Sequence, residues 1–281
     1  MKKYTLFQLF ALTVLLISCT KEIDFDLNEE GFDRLVVEGF ITNQVKAHEV
    51  RLSRTTSYYI EQSPKAVSGA IVNVSNGVHS WVMTEDPIGS GRYSTPTDAF
   101  GIVGQIHELS IETDGQTYIA TDEMAAVATL DSVTVEYELF EFPDKDEEFP
   151  GFWNLNIWTM ETPETENFYR WRTFINGVTS SDTIRFSSFS NDQGLDGANL
   201  TGYTIEEYAE DEMEIGDLIT LEQHGISRSY YDMLQAVTEQ TEIEGGLFDP
   251  PAANVLSNVS NGALGFFSAS SVSTKTYLIE E

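Results

Sequence analysis

The chain has 281 residues, with 46 Asp and Glu against 15 Lys and Arg, so its formal net charge is −31. Duplex nucleic acid is bound by clustered lysine and arginine, and a chain this acidic repels phosphate, so we expect no nucleic-acid partner. Hydrophobic residues make up 41% of the sequence, which is enough for a packed core and excludes a largely disordered chain. The excess of acids is typical of a solvated surface, and a surface for divalent cations or cationic ligands is the alternative.

The amino terminus has the pattern of a bacterial lipoprotein signal. Lys2 and Lys3 precede an apolar run over residues 6–17, and residues 16–19 (LISC) form a lipobox. The apolar run is shorter than the roughly 20 residues that span a bilayer as a helix, and charged residues follow it at once. We therefore predict a signal peptide over residues 1–18.

Cys19 is the only cysteine of the chain, and the lipobox predicts that it is lipidated. The predicted partner of this residue is the lipid bilayer, and acylation would prevent its sulfur from acting as a nucleophile, a metal ligand or half of a disulfide. One acyl chain holds a protein in a membrane only marginally, whereas two or three chains anchor it stably. Residues 19–33 are polar and acidic without hydrophobic periodicity, which predicts a tether between the lipid and the first strand.

Strand signals dominate the next hundred residues. An Asn-Gly or Asp-Gly pair between alternating apolar residues favours a β-hairpin, because both central positions of its turn need a positive φ. Asn76-Gly77 and Asp114-Gly115 have this context and predict two hairpins. The predicted fold is mainly β, and residues 34–128 are interpreted as an immunoglobulin-like or prealbumin-like sandwich.

The alternating pattern restarts after residue 128, which predicts a second β-sandwich-like domain over residues 129–281. This domain is expected to carry a single packed α-helix near residues 229–243, with Ser229 as its cap. The acidic, glycine-containing segment 191–216 is interpreted as a long irregular excursion that is not regular sheet throughout. The predicted closing strands are residues 263–269 and 272–279.

Aromatic residues concentrate in the second half of the chain. Tryptophans lie in strand-like stretches, and two tyrosines lie among the acids of residues 203–217. Aromatic rings in such positions can present platforms to a sugar or a peptide, and the alternative is that they pack into the core. The candidate ligand-binding residues are Trp153, Trp158, Trp171, Tyr203 and Tyr208.

Residues 191–197 (NDQGLDG) are rich in oxygen donors and glycine, as a calcium loop must be. The segment lacks the acid or amide expected at the third position from Asp192 and the glutamate expected at the twelfth. We interpret it as a polar turn, with calcium held by Asp192 and Asp196 as the alternative. No other cofactor is predicted.

Signatures of known catalytic sites are missing from the sequence. His48-Glu49 and His107-Glu108 lack the second histidine of a zinc-protease helix, and no nucleophile elbow, phosphate loop or dinucleotide fingerprint is present. Four scattered histidines leave a Ser-His-Asp set assembled in space as an open alternative. No catalytic residue is predicted.

Several short segments, in the same order, resemble a lipoprotein family of Bacteroidota catalogued as domain of unknown function 4249. The resemblance implies an outer-membrane lipoprotein, often encoded near TonB-dependent transporters, and the family offers no established catalytic residues. Residues 20–24 (TKEID) also resemble the export tag that sends such lipoproteins to the cell surface. The segments that carry the family resemblance are residues 35–43 (LVVEGFITN), 50–55 (VRLSRT), 67–72 (VSGAIV) and 258–267 (NVSNGALGFF).

The leading functional expectation is a non-enzymatic ligand-binding or accessory module anchored at the outer membrane, with a TonB-dependent transporter as a possible partner. A glycan or peptide hydrolase that uses carboxylates of the second domain is the first alternative, and it requires a deep cleft where two acids converge. A surface adhesion or structural lipoprotein is the second alternative, and such a protein requires no concave pocket.

Overall fold

Alternating apolar and polar residues become strands throughout the computed structural model, which describes residues 33–56, 63–140, 151–180, 188–241 and 255–280. Cys19, the predicted signal peptide and the predicted tether up to residue 32 lie outside the described residues. The described part of the chain contains sixteen strands, one α-helix and one short 3-10 turn, which confirms a mainly β fold with a single helix.

The strands are numbered in chain order, and the helix is called α1. The strands are β1 (Leu35–Thr42), β2 (Glu49–Arg54), β3 (Ile71–Ser75), β4 (Ser80–Val82), β5 (Thr84–Glu85), β6 (Arg92–Ser94), β7 (Ile106–Thr113), β8 (Gln116–Glu123), β9 (Leu130–Leu139), β10 (Gly151–Met160), β11 (Phe168–Ile175), β12 (Val178–Thr179), β13 (Ser188–Asn191), β14 (Asn199–Ala209), β15 (Leu218–Gly225) and β16 (Leu264–Leu278). The 3-10 turn is Glu210–Glu212, and α1 is Arg228–Thr241.

Nine strands form one long sheet, in the order β12-β11-β15-β16-β1-β2-β6-β5, with β13 also paired to β11. Only the β1–β16 pair is parallel among the described strands. Two smaller antiparallel sheets have the orders β4-β3-β7-β8 and β14-β10-β9.

Each smaller sheet packs on the long sheet around its own apolar cluster. The first cluster joins β3, β7 and β8 to β1, β2 and β16, with Val37, Leu52 and Phe267 fully buried. The second cluster joins β9, β10 and β14 to β11 and β15, with Leu155 and Leu221 fully buried. Both halves are therefore sandwiches, as the mainly β prediction implied. The immunoglobulin-like or prealbumin-like subtype stays a prediction.

Strand β16 connects the two sandwiches because it changes partner along its length. Residues 264–270 pair with β1, and residues 271–278 pair with β15. As a result, Phe267 belongs to the first cluster, although it lies far beyond the predicted boundary near residue 128. The division into domains at 34–128 and 129–281 stays a prediction, with this strand shared between the two sandwiches.

Helix α1 lies on the opposite face of the long sheet from the two sandwiches. Successive residues of a strand point to opposite faces, so Phe266 contacts the helix while Phe267 faces the first sandwich. Tyr230, Met233 and Leu234 supply the apolar stripe of the helix. The helix begins at Arg228, one residue before the predicted start, and its cap is Ser227, whose Oγ accepts the Tyr230 N–H at 3.2 Å. The prediction of Ser229 as the cap is wrong.

Both predicted hairpins are present, and the segment predicted to be irregular is so only in part. Asn76-Gly77 connects β3 to β4, and Asp114-Gly115, with φ of 52° and 73°, connects β7 to β8. The segment 191–216 contains the eleven-residue strand β14, whereas residues 192–198 and 210–216 lie outside strands, so the segment is not sheet throughout, as predicted, but it holds a long strand that was not predicted. The predicted closing strands 263–269 and 272–279 are one continuous strand, β16.

Candidate functional site

The five aromatic residues predicted as a ligand site do not share a surface. Trp171 and Tyr208 are buried in the second sandwich, where Trp171 Nε1 donates to Gln223 Oε1 at 3.0 Å and the Tyr208 hydroxyl donates to Glu206. Burial raises the pKa of both Tyr208 and Glu206. These two rings therefore belong to the core.

The other three predicted aromatics lie at separate places. Trp153 is half-buried, packs on Tyr137 with ring centroids 4.8 Å apart and donates Nε1 to the Glu210 carbonyl at 3.2 Å. Trp158 is half-buried on the outer side of β10, and Tyr203 is 45% exposed. Tyr203 and Trp171 both line one pocket.

That pocket opens between the two sheets of the second sandwich. Ile157, Trp171, Leu195, Leu200 and Tyr203 make its lining mostly apolar, and its volume is about 20 Å³. A cavity of this size holds about one water molecule. It is too small for a sugar ring or a peptide side chain, so we do not assign a ligand to it.

Three carboxylates meet beside the same pocket, and two of them, Glu161 and Asp192, line it. Ligand oxygens of Glu161, Asp192 and Asp196 lie within 4.8 Å of one another, a spacing compatible with calcium, whose ligands lie about 2.3–2.6 Å from the ion. Each carboxylate already accepts hydrogen bonds from the protein: Glu161 from the Tyr169 hydroxyl at 2.7 Å, and Asp192 from the Asn167 N–H at 2.9 Å. These bonds tie two loops together. Calcium binding by Asp192 and Asp196 stays a prediction, with Glu161 as a third donor.

A larger groove lies at one end of the first sandwich and has a volume of about 380 Å³. Leu35, Tyr118 and Ala263 form its buried floor. Polar side chains form its walls. They are Asp33, Arg34, Arg54, Asp114, Gln116 and Asn261.

Arg54 forms ion pairs with two acids of this groove, Asp33 and Asp114. Its Nη1 donates to the Asp33 carbonyl at 2.8 Å, its Nη2 donates to the Asp114 carboxylate, and its Nε lies 3.7 Å from Asp33 Oδ1. Arg34 donates Nε to the Gly262 carbonyl at 2.7 Å and is otherwise exposed to solvent. The groove therefore offers cationic donors and anionic acceptors side by side.

Two tight turns place the remaining wall residues. Asp114-Gly115 and Asn261-Gly262 both adopt positive φ, and Asn261 Nδ2 donates to the Thr117 carbonyl at 2.6 Å, which fixes one turn beside the other. Sequence reasoning identified Asp114-Gly115 as a turn signal, but it did not identify Asn261-Gly262 as one and it missed the groove. The only local signal was the presence of two such turns, and nothing in the sequence showed that they converge.

A buried polar set elsewhere has the residue types of a hydrolase triad. Ser270 Oγ lies 3.0 Å from His224 Nδ1, and His224 Nε2 lies 3.2 Å from Glu222 Oε2. Ser270 is 4% exposed and His224 is 6% exposed, so a substrate carbonyl cannot approach the hydroxyl. Burial lowers the pKa of His224. We interpret the set as a buried hydrogen-bonded network that links β15 to β16.

The fold and the groove define a mainly β protein built from two sandwiches around a shared sheet. The family model described as Domain of unknown function (DUF4249) matches residues 20–276, and the chain belongs to this family. The curated proteins include no match to the chain. Across the described residues, no helix has the length and apolar character needed to span a membrane.

Proposed function

We propose that the chain is an outer-membrane lipoprotein, anchored through lipid on Cys19, that binds a ligand or a partner protein without catalysing a reaction. The observation that carries the proposal is the groove beside Asp33, whose volume of about 380 Å³ lies within the range of roughly 300–1,000 Å³ typical of ligand pockets. A purely structural or adhesive lipoprotein needs no such concavity.

The place of the groove favours a partner in the same membrane. Asp33 forms part of its wall and is also the last residue of the predicted tether. A fully extended tether over residues 19–33 spans at most roughly 50 Å, which limits how far the groove could lie from the bilayer that would hold Cys19. A TonB-dependent transporter is the partner that we propose. It would lie in the same membrane, and its polar surface loops would be within the reach of the tether.

The hydrolase alternative receives less support from the geometry. Its acids would have to face an open cleft, whereas Glu161 and Asp192 are 2% and 6% exposed and are engaged by protein donors. In the groove, the Asp114 carboxylate is already engaged in an ion pair with Arg54.

Copurification from the native membrane tests this proposal. Full-length protein with a carboxyl-terminal affinity tag is recovered in mild detergent, and bound proteins are identified by mass spectrometry. We expect a TonB-dependent transporter to accompany the wild type, and we expect its recovery to fall at least fivefold with the double variant Arg34→Ala/Gln116→Ala. Both side chains are exposed on the groove walls, so the fold should tolerate their removal.

The matched control is Arg51→Ala/Gln193→Ala, which removes the same side-chain types from exposed positions outside the groove. Its transporter recovery should equal that of the wild type. Equal recovery with the groove variant, or no transporter in any preparation, would remove the support for the proposal.

A further inference from the structure

The outer side of the three-stranded sheet β14-β10-β9 carries an array of carboxylates, which we call the acidic face. The strand register places Glu136 of β9 and Glu207 of β14 on either side of Asn154, and Glu138 beside Phe152. All three carboxylate side chains are exposed. Neighbouring strands lie about 4.8 Å apart, so the carboxylates flank the central strand at a spacing of about 10 Å.

No positive charge balances this face from within its own sheet. Strands β9, β10 and β14 contain no lysine, arginine or histidine. Among the described residues, Glu136, Glu138 and Glu207 take part in no ion pair. Like charges this close repel each other, and a cationic partner would relieve that repulsion.

Two aromatic rings lie on the same side of this sheet, Phe152 opposite Glu138 and Trp158 opposite Ser132 and Thr201. Phe152 packs against Phe140 with ring centroids 5.2 Å apart, and both rings are half-buried. Trp158 lies against Gly202, where an added Cβ would come within 3.2 Å of the indole. The ring faces of Phe152 and Trp158 suit the ammonium of lysine or the guanidinium of arginine, which bind aromatic faces by cation–π attraction.

The free edge of the sheet indicates the form of the partner. Strand β9 is ten residues long and is one of the two edge strands of this sheet, and at its start the Leu130 N–H donates to Ser273 Oγ of β16 at 2.9 Å. Within the described part of the chain, its far side makes no backbone hydrogen bond over residues 131–139. Exposed edge strands pair readily with an extended segment of another chain.

We propose that the acidic face, with the β9 edge, docks an extended segment of a partner protein that carries lysine or arginine. The complementary charges set the affinity, and the rings of Phe152 and Trp158 receive the cationic groups. This surface shares no residue with the groove beside Asp33, so each proposal can fail while the other stands.

A lysine peptide provides the probe. The full-length protein in nonionic detergent is titrated with a fluorescent nonapeptide of alternating lysine and threonine, and binding is followed by fluorescence anisotropy at low and physiological salt. We expect the triple variant Glu136→Gln/Glu138→Gln/Glu207→Gln to weaken binding about tenfold, because three ion pairs are lost. Salt should weaken binding to the wild type in the same direction.

The matched control is Glu108→Gln/Glu112→Gln/Glu123→Gln, which removes three exposed carboxylates from the outer side of the four-stranded sheet. Both variants carry the same net charge, so the control should bind the peptide within twofold of the wild type. Equal weakening by both variants would show attraction to net charge alone and overturn the proposal. Binding of a neutral oligosaccharide at this face, with no binding of the peptide, would also overturn it.

Discussion

Asn258 takes the place of a neighbouring strand beside Phe267. Its Oδ1 accepts the Phe267 N–H at 3.0 Å, and its Nδ2 donates to the Phe267 carbonyl at 2.8 Å and to the Thr121 carbonyl at 3.0 Å. Strand β15 pairs with β16 only from Ser271 onward, so these backbone groups have no strand on that side. The segment 258–267, which carried part of the family resemblance, therefore has a structural role at this position.

We expect Asn258→Ala to lower the free energy of unfolding by about 2–4 kcal/mol, because it leaves the N–H and the carbonyl of a buried residue without partners. Urea unfolding followed by tryptophan fluorescence measures the change. Asn199→Ala is the control, since Asn199 is exposed and its side chain makes no hydrogen bond among the described residues. An equal shift of the urea midpoint in both variants would contradict this role.

Single residues also show why the groove could not be predicted from the sequence. Arg34 and Gly262 form one hydrogen bond across 228 positions of the chain, and Arg54 meets Asp114 across 60. Local patterns report turns and strands but do not report which turns meet. The carboxylate pair at 192 and 196 was visible because it lies in one loop, and its third member, Glu161, was missed because it lies in a separate one.

At the scale of elements, the start of α1 provides a direct comparison between a cap expected from sequence and the observed one. We expect Ser227→Ala to destabilise the protein by about 1 kcal/mol, because its Oγ accepts the Tyr230 N–H at the first turn. Ser229→Ala should change stability by less than about 0.5 kcal/mol, because Ser229 is an exposed helical residue. Thermal and urea unfolding of the two variants measure the difference, and a larger effect of Ser229→Ala would contradict the assigned cap.

Elements whose own residues determine their backbone conformation could be predicted from the sequence. Elements that depend on contacts with distant parts of the chain could not. Asn76-Gly77 and Asp114-Gly115 specify their hairpins by backbone conformation alone. Strand β16 was divided in two because Ser268, Ser270 and Ser271 interrupt its apolar pattern, yet all three are buried where the strand changes partner. Strand β14 was missed because an edge strand with one exposed face has few apolar residues.

At the scale of the whole molecule, the carboxylates and the buried histidines change stability in opposite directions as the pH falls. A formal charge of −31 destabilises the folded state by self-repulsion, and protonation of carboxylates relieves it. Burial also raises the pKa of Asp122 to about 6, so its protonation favours the folded state as the pH falls from about 6 toward 3.8. Buried neutral histidines oppose this trend, because burial lowers the pKa of His48, His107 and His224.

His48 offers the clearest measurement of that opposing effect. It is 5% exposed, and its Nδ1 accepts the Thr42 N–H at 3.4 Å, so a proton on Nδ1 would face a donor. Burial, with a smaller contribution from the charge of Lys46, lowers its pKa from 6.5 to about 4. Between these two values the unfolded chain binds the proton and the folded chain does not, so acidification removes stability in that range.

We expect the unfolding free energy of the wild type, minus that of His48→Gln, to fall by about 2 kcal/mol between pH 7.5 and pH 5. The subtraction cancels the contributions of the net charge and of Asp122 to the pH dependence of the unfolding free energy, because both proteins share them. Urea unfolding at several pH values measures the difference, and the same measurement on His79→Gln, which alters an exposed histidine, is the control. A constant difference for His48→Gln would mean that this imidazole takes up its proton without unfolding, and the buried neutral state assigned to it would be wrong.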